Sequence, residues 1–236
     1  MSIAVGPALL GIPVAAGICA WGACHPSAQL FGPTRRRTGR DGTLALTFDD
    51  GPNPAVTPLL LDLLDQYEAR ATFFLIGRHV RACPDLTAEI MHRGHAIGNH
   101  TDTHPNLLWL PRAHVVDELE RCAASIVQAT GHRPAIMRPP YGYRGPQVHA
   151  AIRRLGFDPP IMWSKSARDW TPQPLRTLIQ RLQTVTAGDI VLLHDGFHCA
   201  VGADRRQTVH ALEHWLPRWT AEGLDLISLG PAGRQV

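Results

Sequence analysis

Short apolar runs alternate with longer amphipathic stretches from Thr43 to the end of the chain. The amphipathic stretches carry apolar residues at the i, i+3 and i+4 spacing of a helix that buries one face, as in residues 59–64. Four glycines precede later apolar runs, where a helix has to end: Gly94, Gly156, Gly188 and Gly223. This alternation is typical of a parallel sheet whose strands are connected by helices.

Each predicted element can be assigned to a range. The apolar runs predict strands at Leu44–Phe48, Thr72–Ile76, Ala96–Asn99, Ala135–Arg138, Ile161–Trp163, Ile190–Leu193 and Leu226–Leu229. The amphipathic stretches predict helices at Pro58–Tyr67, Arg78–Arg93, Arg112–Thr130, Pro146–Leu155, Pro174–Thr184 and Thr208–Glu222. Such an order suits a sheet closed as a barrel or an open doubly wound sheet, in one domain.

The N-terminus differs, because residues 3–24 contain no charged side chain. A helix of this length rises enough to cross a hydrocarbon core of about 30 Å. Glycines and prolines interrupt it, however, and no basic residue precedes it as in a signal peptide. Residues 1–24 are therefore expected to be a membrane anchor, an export signal or a segment packed on the domain. Basic residues follow at 35–37 and 40, and the positive-inside rule would place the domain on the cytoplasmic side.

The rest of the chain divides into a linker at residues 25–41, a domain at residues 42–230 and a tail at residues 231–236. A hydrophobic content of 44% with 18% charged residues excludes a disordered chain. A net charge of +3, without a long run of basic residues, argues against nucleic acid as a partner. The 5 cysteines are an odd number without a CxxC motif, so they indicate neither a disulfide framework nor a cysteine zinc site.

Two adjacent carboxylates, Asp49 and Asp50, follow the first predicted strand in the motif TFDDGP. Both are costly to ionise in a closed site unless a cation or an arginine compensates their charge. The motif therefore predicts either a site that holds positive charge or an exposed acidic turn.

His100 and His104 follow the third predicted strand in the motif HTDTH. This spacing brings two imidazoles together on a helix or a tight turn, and neutral imidazole is a zinc ligand. Two other pairs share the spacing, in a loop and on an amphipathic helix: His194/His198 and His210/His214. Position distinguishes His100 and His104, because they stand just past a strand, as the two aspartates do.

Three further groups stand at or after strand ends. Arg138 precedes two prolines, which would hold the arginine in place and fix the angle of the Tyr141 amide. Asp169 and Trp170 follow the fifth predicted strand, and His194 follows the sixth. Taken singly, these groups also suit a proline-rich surface loop or a histidine of the core. Taken together, they collect at the carboxyl ends of the strands, where parallel α/β barrels build active sites.

The five motifs TFDDGP, HTDTH, RPPYG, RDW and LLHDG resemble, in this order, the polysaccharide deacetylase family, the NodB-homology carbohydrate esterases of family 4. The resemblance covers Leu44 to Leu229, and the connecting residues 71–74 and 94–100 are also similar to the family. It implies a single NodB-like α/β domain, folded as a distorted (β/α)7 barrel.

The resemblance also implies a role for each motif residue. Asp49 would be the general base, paired with Arg138, and His194 would be the general acid, oriented by Asp169. The metal ligands would be Asp50, His100 and His104. The residues expected to contact the substrate are Tyr141, whose N–H would contribute to an oxyanion hole, and Trp170 and Leu192, which would line a pocket for the acetyl methyl group.

Elementary chemistry agrees with those roles, since two histidines and one carboxylate leave a coordination position open for water. The set suits Zn²⁺, and other divalent transition metals also accept it. The predicted function is a metal-dependent hydrolase that removes the N-acetyl group from an amino sugar of a polysaccharide, an oligosaccharide or a lipid-linked glycan. The alternatives are hydrolysis of another amide, ester or formamide, or a non-catalytic sugar-binding protein.

One position departs from the family pattern. Ser166 stands three residues before Asp169, where the family usually has an aspartate. Asp169 itself is present, so the resemblance still implies activity, with a changed hydrogen-bonding pattern behind the loop. The N-terminal segment implies a membrane-associated or exported protein, and members of the family that modify wall polymers act outside the cell.

Overall fold

The structure is a computed structural model that describes residues 7–230. The predicted tail at residues 231–236 and the first six residues of the predicted apolar segment lie outside the described residues. The helices are α1 Pro7–Cys24, α2 Thr57–Gln66, α3 Gly77–Ala82, α4 Pro84–His92, α5 Arg112–Thr130, α6 Pro146–Arg154, α7 Leu175–Leu182 and α8 Arg206–Ala221. The strands are β1 Thr43–Gly51, β2 Ala71–Leu75, β3 Ala96–Asn99, β4 Lys165–Ser166, β5 Ile190–His194 and β6 Asp225–Leu226. Short 3₁₀ turns occupy Leu107–Trp109 and Pro140–Gly142.

The strands form one parallel sheet in the order β3-β2-β1-β5-β4, and β6 pairs with the start of β1. The predicted α/β class with a parallel sheet is therefore confirmed. The closed seven-stranded barrel is not confirmed, because the described sheet has 6 strands in an open order.

Two predicted strands contribute only isolated bridges. Within Ala135–Arg138, Met137 bridges to Asn99, and within Ile161–Trp163, Ile161 bridges to Arg35. Prolines border both segments, at positions 134 and 139–140 and at positions 159–160. Because proline has no N–H to donate to a ladder, the pairing of either segment cannot extend into the flanking prolines.

One predicted helix is divided in two. The range Arg78–Arg93 contains α3 and α4, which meet at Cys83 and Pro84. Pro84 is the first residue of α4, a position whose N–H makes no hydrogen bond within the helix, so a proline is tolerated there. In the interior of one long helix the same proline would remove a backbone hydrogen bond.

Strand β1 lies at the centre of the sheet, and every one of its residues is buried. Its alternate residues Leu44, Leu46 and Phe48 join the main core together with leucines of α2 and α8. Ala45 belongs to a second, smaller cluster. A strand that is buried on both faces has a nearly continuous apolar sequence, so polar residues at its end are unusual. Asp49 and Asp50 therefore lie at the carboxyl edge of the sheet, at the end of its central and fully buried strand.

The segment before β1 packs on the domain. The Arg144 guanidinium donates hydrogen bonds to the carbonyls of His25 and Ala28, just past α1. Arg37 forms a salt bridge with the buried Asp189. In α1, the side chains of Val14 and Ile18 are exposed. Among the described residues, no helix has both the length and the apolar character needed to cross a membrane.

Candidate active site

A cavity of about 340 Å³ opens at the carboxyl edge of the sheet. Parallel neighbouring strands end at the same edge, and the register pairs Asp49 of β1 directly with His194 of β5. Eight of the ten predicted site residues line the cavity: Asp49, Asp50, His100, His104, Tyr141, Trp170, Leu192 and His194. The other two, Arg138 and Asp169, are fully buried and contact lining residues.

A bulge at the end of β1 turns both aspartates toward the cavity. Side chains alternate between the two faces of a regular strand, so neighbouring carboxylates would point apart. The register with β2 shifts between Asp49 and Gly51, and Asp50 has a left-handed φ of 73°. As a result Oδ2 of Asp49 and Oδ1 of Asp50 lie 3.8 and 3.5 Å from Nε2 of His100.

Asp49 is paired with a buried arginine. Nη1 of Arg138 donates to Oδ1 of Asp49 at 2.7 Å and to Oγ1 of Thr47 at 2.8 Å. Nε of Arg138 donates to the Ile161 carbonyl at 3.1 Å, and its guanidinium carbon lies 4.3 Å from the ring centre of Phe74. These contacts fix the arginine, and its charge compensates the buried carboxylate of Asp49.

His100 and His104 are held by a tight turn rather than a helix. Thr101 and His104 adopt left-handed φ values of 68° and 62°. The turn is closed locally, since Oδ1 of Asn99 accepts from the Thr101 N–H at 2.9 Å and Oγ1 of Thr101 accepts from the His104 N–H at 3.1 Å. This strained backbone brings the two imidazole centres within 5.0 Å of each other.

The donor atoms fit a divalent metal ion. Oδ1 of Asp50 lies 3.3 Å from Nε2 of His104, and one donor atom from each of Asp50, His100 and His104 lies within 4.8 Å of the others. Nδ1 of His100 donates to the Arg138 carbonyl at 2.8 Å, which leaves the lone pair of Nε2 for a ligand. Oδ1 of Asp50 is buried and has no hydrogen-bond partner. A cation between these atoms would satisfy the unpaired oxygen.

The electrostatics of the cluster favour the protonation states in which these side chains can bind a metal ion. Burial alone would raise the pKa of Asp50, but the neighbouring His100 and His198 keep that pKa well below its usual range. Burial and the neighbouring His100 lower the pKa of His104 to about 3. At neutral pH Asp50 is therefore ionised and His104 is neutral, as metal ligands have to be.

His194 lies opposite in a different environment. Its Nδ1 is 2.9 Å from Oδ1 of Asp169, and its backbone N–H donates to Oδ2 of the same carboxylate at 2.7 Å. Oγ1 of Thr208 also donates to that oxygen, at 2.8 Å. Burial would lower the pKa of His194, but Asp169 outweighs it and raises the pKa to about 9. The imidazole is thus protonated at neutral pH and can donate a proton from Nε2.

The three predicted substrate contacts surround the same cavity. Leu192 is buried at its base, and the half-exposed indole of Trp170 meets His194 edge to face, with ring centres 5.4 Å apart. Tyr141 has a left-handed φ of 59° within the turn that follows the two prolines. At the departure from the family pattern, Oγ of Ser166 accepts the Arg168 N–H at 3.1 Å, so the serine caps the loop that leads to Asp169.

Several residues that support the site were not predicted from the sequence. Glu118 on α5 accepts hydrogen bonds from the N–H groups of Asp102 and Thr103 at 3.0 and 2.8 Å. Arg205 donates to the Asp169 carbonyl at 3.2 Å. Such residues lie far along the chain from the groups they hold, and no local pattern marks them. His198 was visible only as one half of an HxxxH pair, and it also lines the cavity.

The chain is similar in sequence to a protein family and to relatives of known activity. The family model described as polysaccharide deacetylase matches residues 36–160. A chitooligosaccharide deacetylase from Bradyrhizobium sp. (strain ANU 289) is 38% identical over 207 residues, which cover 84% of this chain and 94% of that protein. A peptidoglycan-N-acetylglucosamine deacetylase from Bacillus cereus is 37% identical over 192 residues, or 79% of this chain and 85% of that protein.

A solved structure shares the fold. The family 4 carbohydrate esterase from Streptomyces lividans, in complex with acetate, superposes with a TM-score of 0.73 at 28% identity, covering 83% of this chain and 97% of that one. The family model spans more than half of the chain, and the two sequence relatives extend the match over most of it. The resemblance found in the five motifs is confirmed, and the chain belongs to the polysaccharide deacetylase family.

Proposed function

We propose that this protein is a metal-dependent hydrolase that removes the N-acetyl group from an N-acetylated amino sugar in a glycan. The observation that carries the proposal is the convergence of three groups on one cavity: the ligand set around Asp50, the Asp49–Arg138 pair and the Asp169–His194 pair. A base, an acid and a cation site around one space are what amide hydrolysis requires.

We assign the metal to Asp50, His100 and His104, with Zn²⁺ as the ion these ligands suit best. When bound, a divalent ion polarises the acetyl carbonyl and acidifies a water molecule. The two imidazoles and the carboxylate would supply three protein ligands and leave a coordination position open.

Asp49 is proposed as the general base. Its Oδ1 is engaged by Arg138 at 2.7 Å, while its Oδ2 faces the histidine ligands, 3.8 Å from Nε2 of His100. One oxygen is thus committed to charge compensation, and the other is available to take the proton of the attacking water. The water oxygen forms the new bond to the acetyl carbon, and its proton passes to Asp49.

His194 is proposed as the general acid. The amide C–N bond breaks as the imidazolium delivers its proton to the departing nitrogen, so the products are acetate and a free amine. Asp169 keeps the imidazole charged and fixes its orientation, because it holds both Nδ1 and the backbone N–H of His194. The Tyr141 N–H is proposed to stabilise the developing oxyanion, with Trp170 and Leu192 around the acetyl methyl group.

The substrate class follows from the relatives as a proposal. Two are named for chitooligosaccharide and for peptidoglycan N-acetylglucosamine, both of which carry N-acetylglucosamine. We therefore propose an N-acetylglucosamine-containing glycan as the substrate. Aromatic side chains line the cavity, and such faces suit the apolar faces of sugar rings: Tyr141, Tyr143, Trp163, Trp170 and Phe197.

Incubation of the purified chain with N-acetylglucosamine oligomers and peptidoglycan fragments tests the proposal, with acetate release and product masses as readouts. Thorough chelation should abolish activity, and added Zn²⁺ should restore it. Asp49→Asn should reduce kcat/KM by about 10²–10⁴-fold. Asp62→Asn, which alters an exposed carboxylate paired with Arg93, is the matched control and should act like the unaltered protein.

Activity that survives chelation, or that persists in Asp49→Asn, would contradict the mechanism. Hydrolysis of acetyl esters or formamides without any action on acetamido sugars would instead assign the site to a different substrate. Export or membrane attachment through residues 1–24 stays a prediction, and protease treatment of intact cells tests on which side the domain lies.

A further inference from the structure

A histidine outside the five motifs covers the proposed metal ligands. His198 belongs to the loop that follows β5, and its side chain lines the cavity. This side chain is 28% exposed, whereas the side chains of Asp50 and His104 are 6% and 4% exposed. His198 is therefore more exposed to solvent than either of these two ligands.

His198 contacts Oδ2 of Asp50, which is not the oxygen that approaches His100 and His104. The His198 backbone N–H donates to Oδ2 of Asp50 at 3.2 Å, and Nδ1 of the same residue lies 3.8 Å from that oxygen. Oδ1 of Asp50 faces His100 and His104 and has no hydrogen-bond partner. His198 thus secures one carboxylate oxygen and leaves the other for coordination.

The imidazole of His198 also stacks on a second ligand. Its ring centre lies 4.4 Å from that of His104, and the two rings are inclined by only 18°. His104 needs this support, because its Nδ1 is buried without a hydrogen-bond partner that would orient the ring. His100, in contrast, is oriented by the Arg138 carbonyl.

The loop that carries His198 is anchored on both sides. Arg78 donates to the His198 carbonyl, and Nδ2 of Asn53 donates to the Ala203 carbonyl at 2.7 Å. Gly196 passes so close to β1 that a Cβ atom there would lie 2.1 Å from the Asp50 carbonyl oxygen. The backbone is therefore held against the end of β1, and the position of His198 over the ligands is built into the fold.

We infer that His198 is a positioning residue of the metal centre, which orients Asp50 and His104 and slows loss of the bound ion to solvent. This inference rests on the proposed function, because it presumes that Asp50, His100 and His104 hold a divalent ion. Groups that orient metal ligands from behind typically change metal affinity by about 10–100-fold when they are removed.

The test measures Zn²⁺ binding by the full-length protein in competition with a chelating dye, together with the rate at which a strong chelator removes the ion. His198→Ala keeps the backbone N–H and removes the ring, so we expect Kd to rise about tenfold and metal loss to accelerate. His198→Gln keeps a donor near Asp50 and should weaken binding less. His210→Ala, on the exposed face of α8, is the matched control and should bind as the unaltered protein does.

The melting temperature of the metal-free protein separates positioning from a structural role. Positioning requires that Kd change while this temperature stays within a degree or so of the unaltered protein. A Kd for His198→Ala within twofold of the unaltered value would overturn the inference, as would a loss of affinity that only follows a loss of metal-free stability. Should His198→Ala not fold, the same criteria apply to His198→Gln. If the unaltered protein binds Zn²⁺ no better than Asp50→Ala, the proposed metal site fails instead.

Discussion

His104 and His194 show how one residue type is given opposite properties on the two sides of a single cavity. Both are buried, with 7% and 8% of the whole residue exposed. Burial and His100 lower the pKa of His104 to about 3, whereas Asp169 reverses the effect of burial and raises the pKa of His194 to about 9. Burial alone therefore does not decide the protonation state; the partner does.

The difference in pKa gives the two sides of the cavity different chemical roles. A neutral imidazole next to an ionised Asp50 can bind a cation, and a charged imidazole on the opposite side can release a proton to a leaving group. The two states coexist near pH 7 because each histidine has its own partner within the buried site. Asp50 and His194 also shift each other's pKa, so removing Asp169 should act mainly, and not solely, on the His194 side.

Among the substitutions that distinguish the two sides, the largest effect is expected from Asp169→Asn. Without the carboxylate, burial is left to lower the pKa of His194, so in metal-free protein an NMR titration should find it far below about 9. His194 acts as an acid only below its pKa, so the limb on which activity falls with rising pH should move to lower pH. At neutral pH we expect kcat/KM to fall by about 10²–10³-fold.

Asp204→Asn provides the control for this experiment, since Asp204 is an exposed carboxylate that pairs with Arg206 rather than with a histidine. It should leave both the titration of His194 and the pH profile where they are. A His194 that still titrates near pH 9 in Asp169→Asn would show that Asp169 is not what holds the proton.

A smaller effect, on the ligand side only, is expected from Glu118→Gln. Glu118 accepts from the N–H groups of Asp102 and Thr103 and from the hydroxyl of Thr103, between the two histidine ligands. The substitution leaves the fold of α5 intact but weakens charge-assisted hydrogen bonds that hold the strained turn. We expect about tenfold weaker Zn²⁺ binding, measured by dye competition.

The titration of His194 should be unaffected by Glu118→Gln, which makes this variant a test of whether the two sides are independent. Glu120→Gln is the matched control, because Glu120 lies on the same helix and pairs with Arg133 away from the turn. Unchanged affinity in Glu118→Gln would mean that the turn keeps its shape without this carboxylate.

Sequence patterns predicted the parts of the molecule that obey regular geometry. The strand interiors follow from continuous apolar runs, and the ends of β1, β3 and β5 carry the polar residues that the motifs indicated. The segments around Met137 and Ile161 form isolated bridges rather than the predicted strands, because hydrophobic periodicity does not show how far flanking prolines shorten the pairing.

The geometry of the site could not be predicted in the same way, because it depends on irregular backbone. Within residues 7–230, six non-glycine residues have a positive φ, and five of them belong to or adjoin the site: Asp50, Thr101, His104, Tyr141 and Arg168. Left-handed backbone is unfavourable for these residue types, so propensity argues against the conformation that brings their side chains together. Hydrogen bonds within the turn and long-range contacts, such as those of Glu118 and Arg205, together hold it in place.

The smallest effect concerns His95, another buried histidine, which lies outside the cavity. Its Nδ1 accepts the Ala71 N–H at 3.2 Å, and burial, aided by Arg70, lowers its pKa to about 4. Because the unfolded chain binds this proton more readily than the folded one, the stability due to neutral His95 is present above pH 6.5 and is lost as the pH falls toward 4.

As the pH falls from 7.5 to 6, protonation of His95 in the unfolded chain should lower the free energy of unfolding by about 1 kcal/mol. His95→Gln keeps an acceptor but cannot titrate, so urea unfolding at the two pH values should show that much less pH dependence in the variant. The difference between the two proteins cancels the contributions of other titrating groups. Equal pH dependence in both would mean that His95 is charged as easily in the fold as in water. Burial would then not be enough to keep a histidine neutral, and the neutral state of His104 would have to come from its partners instead.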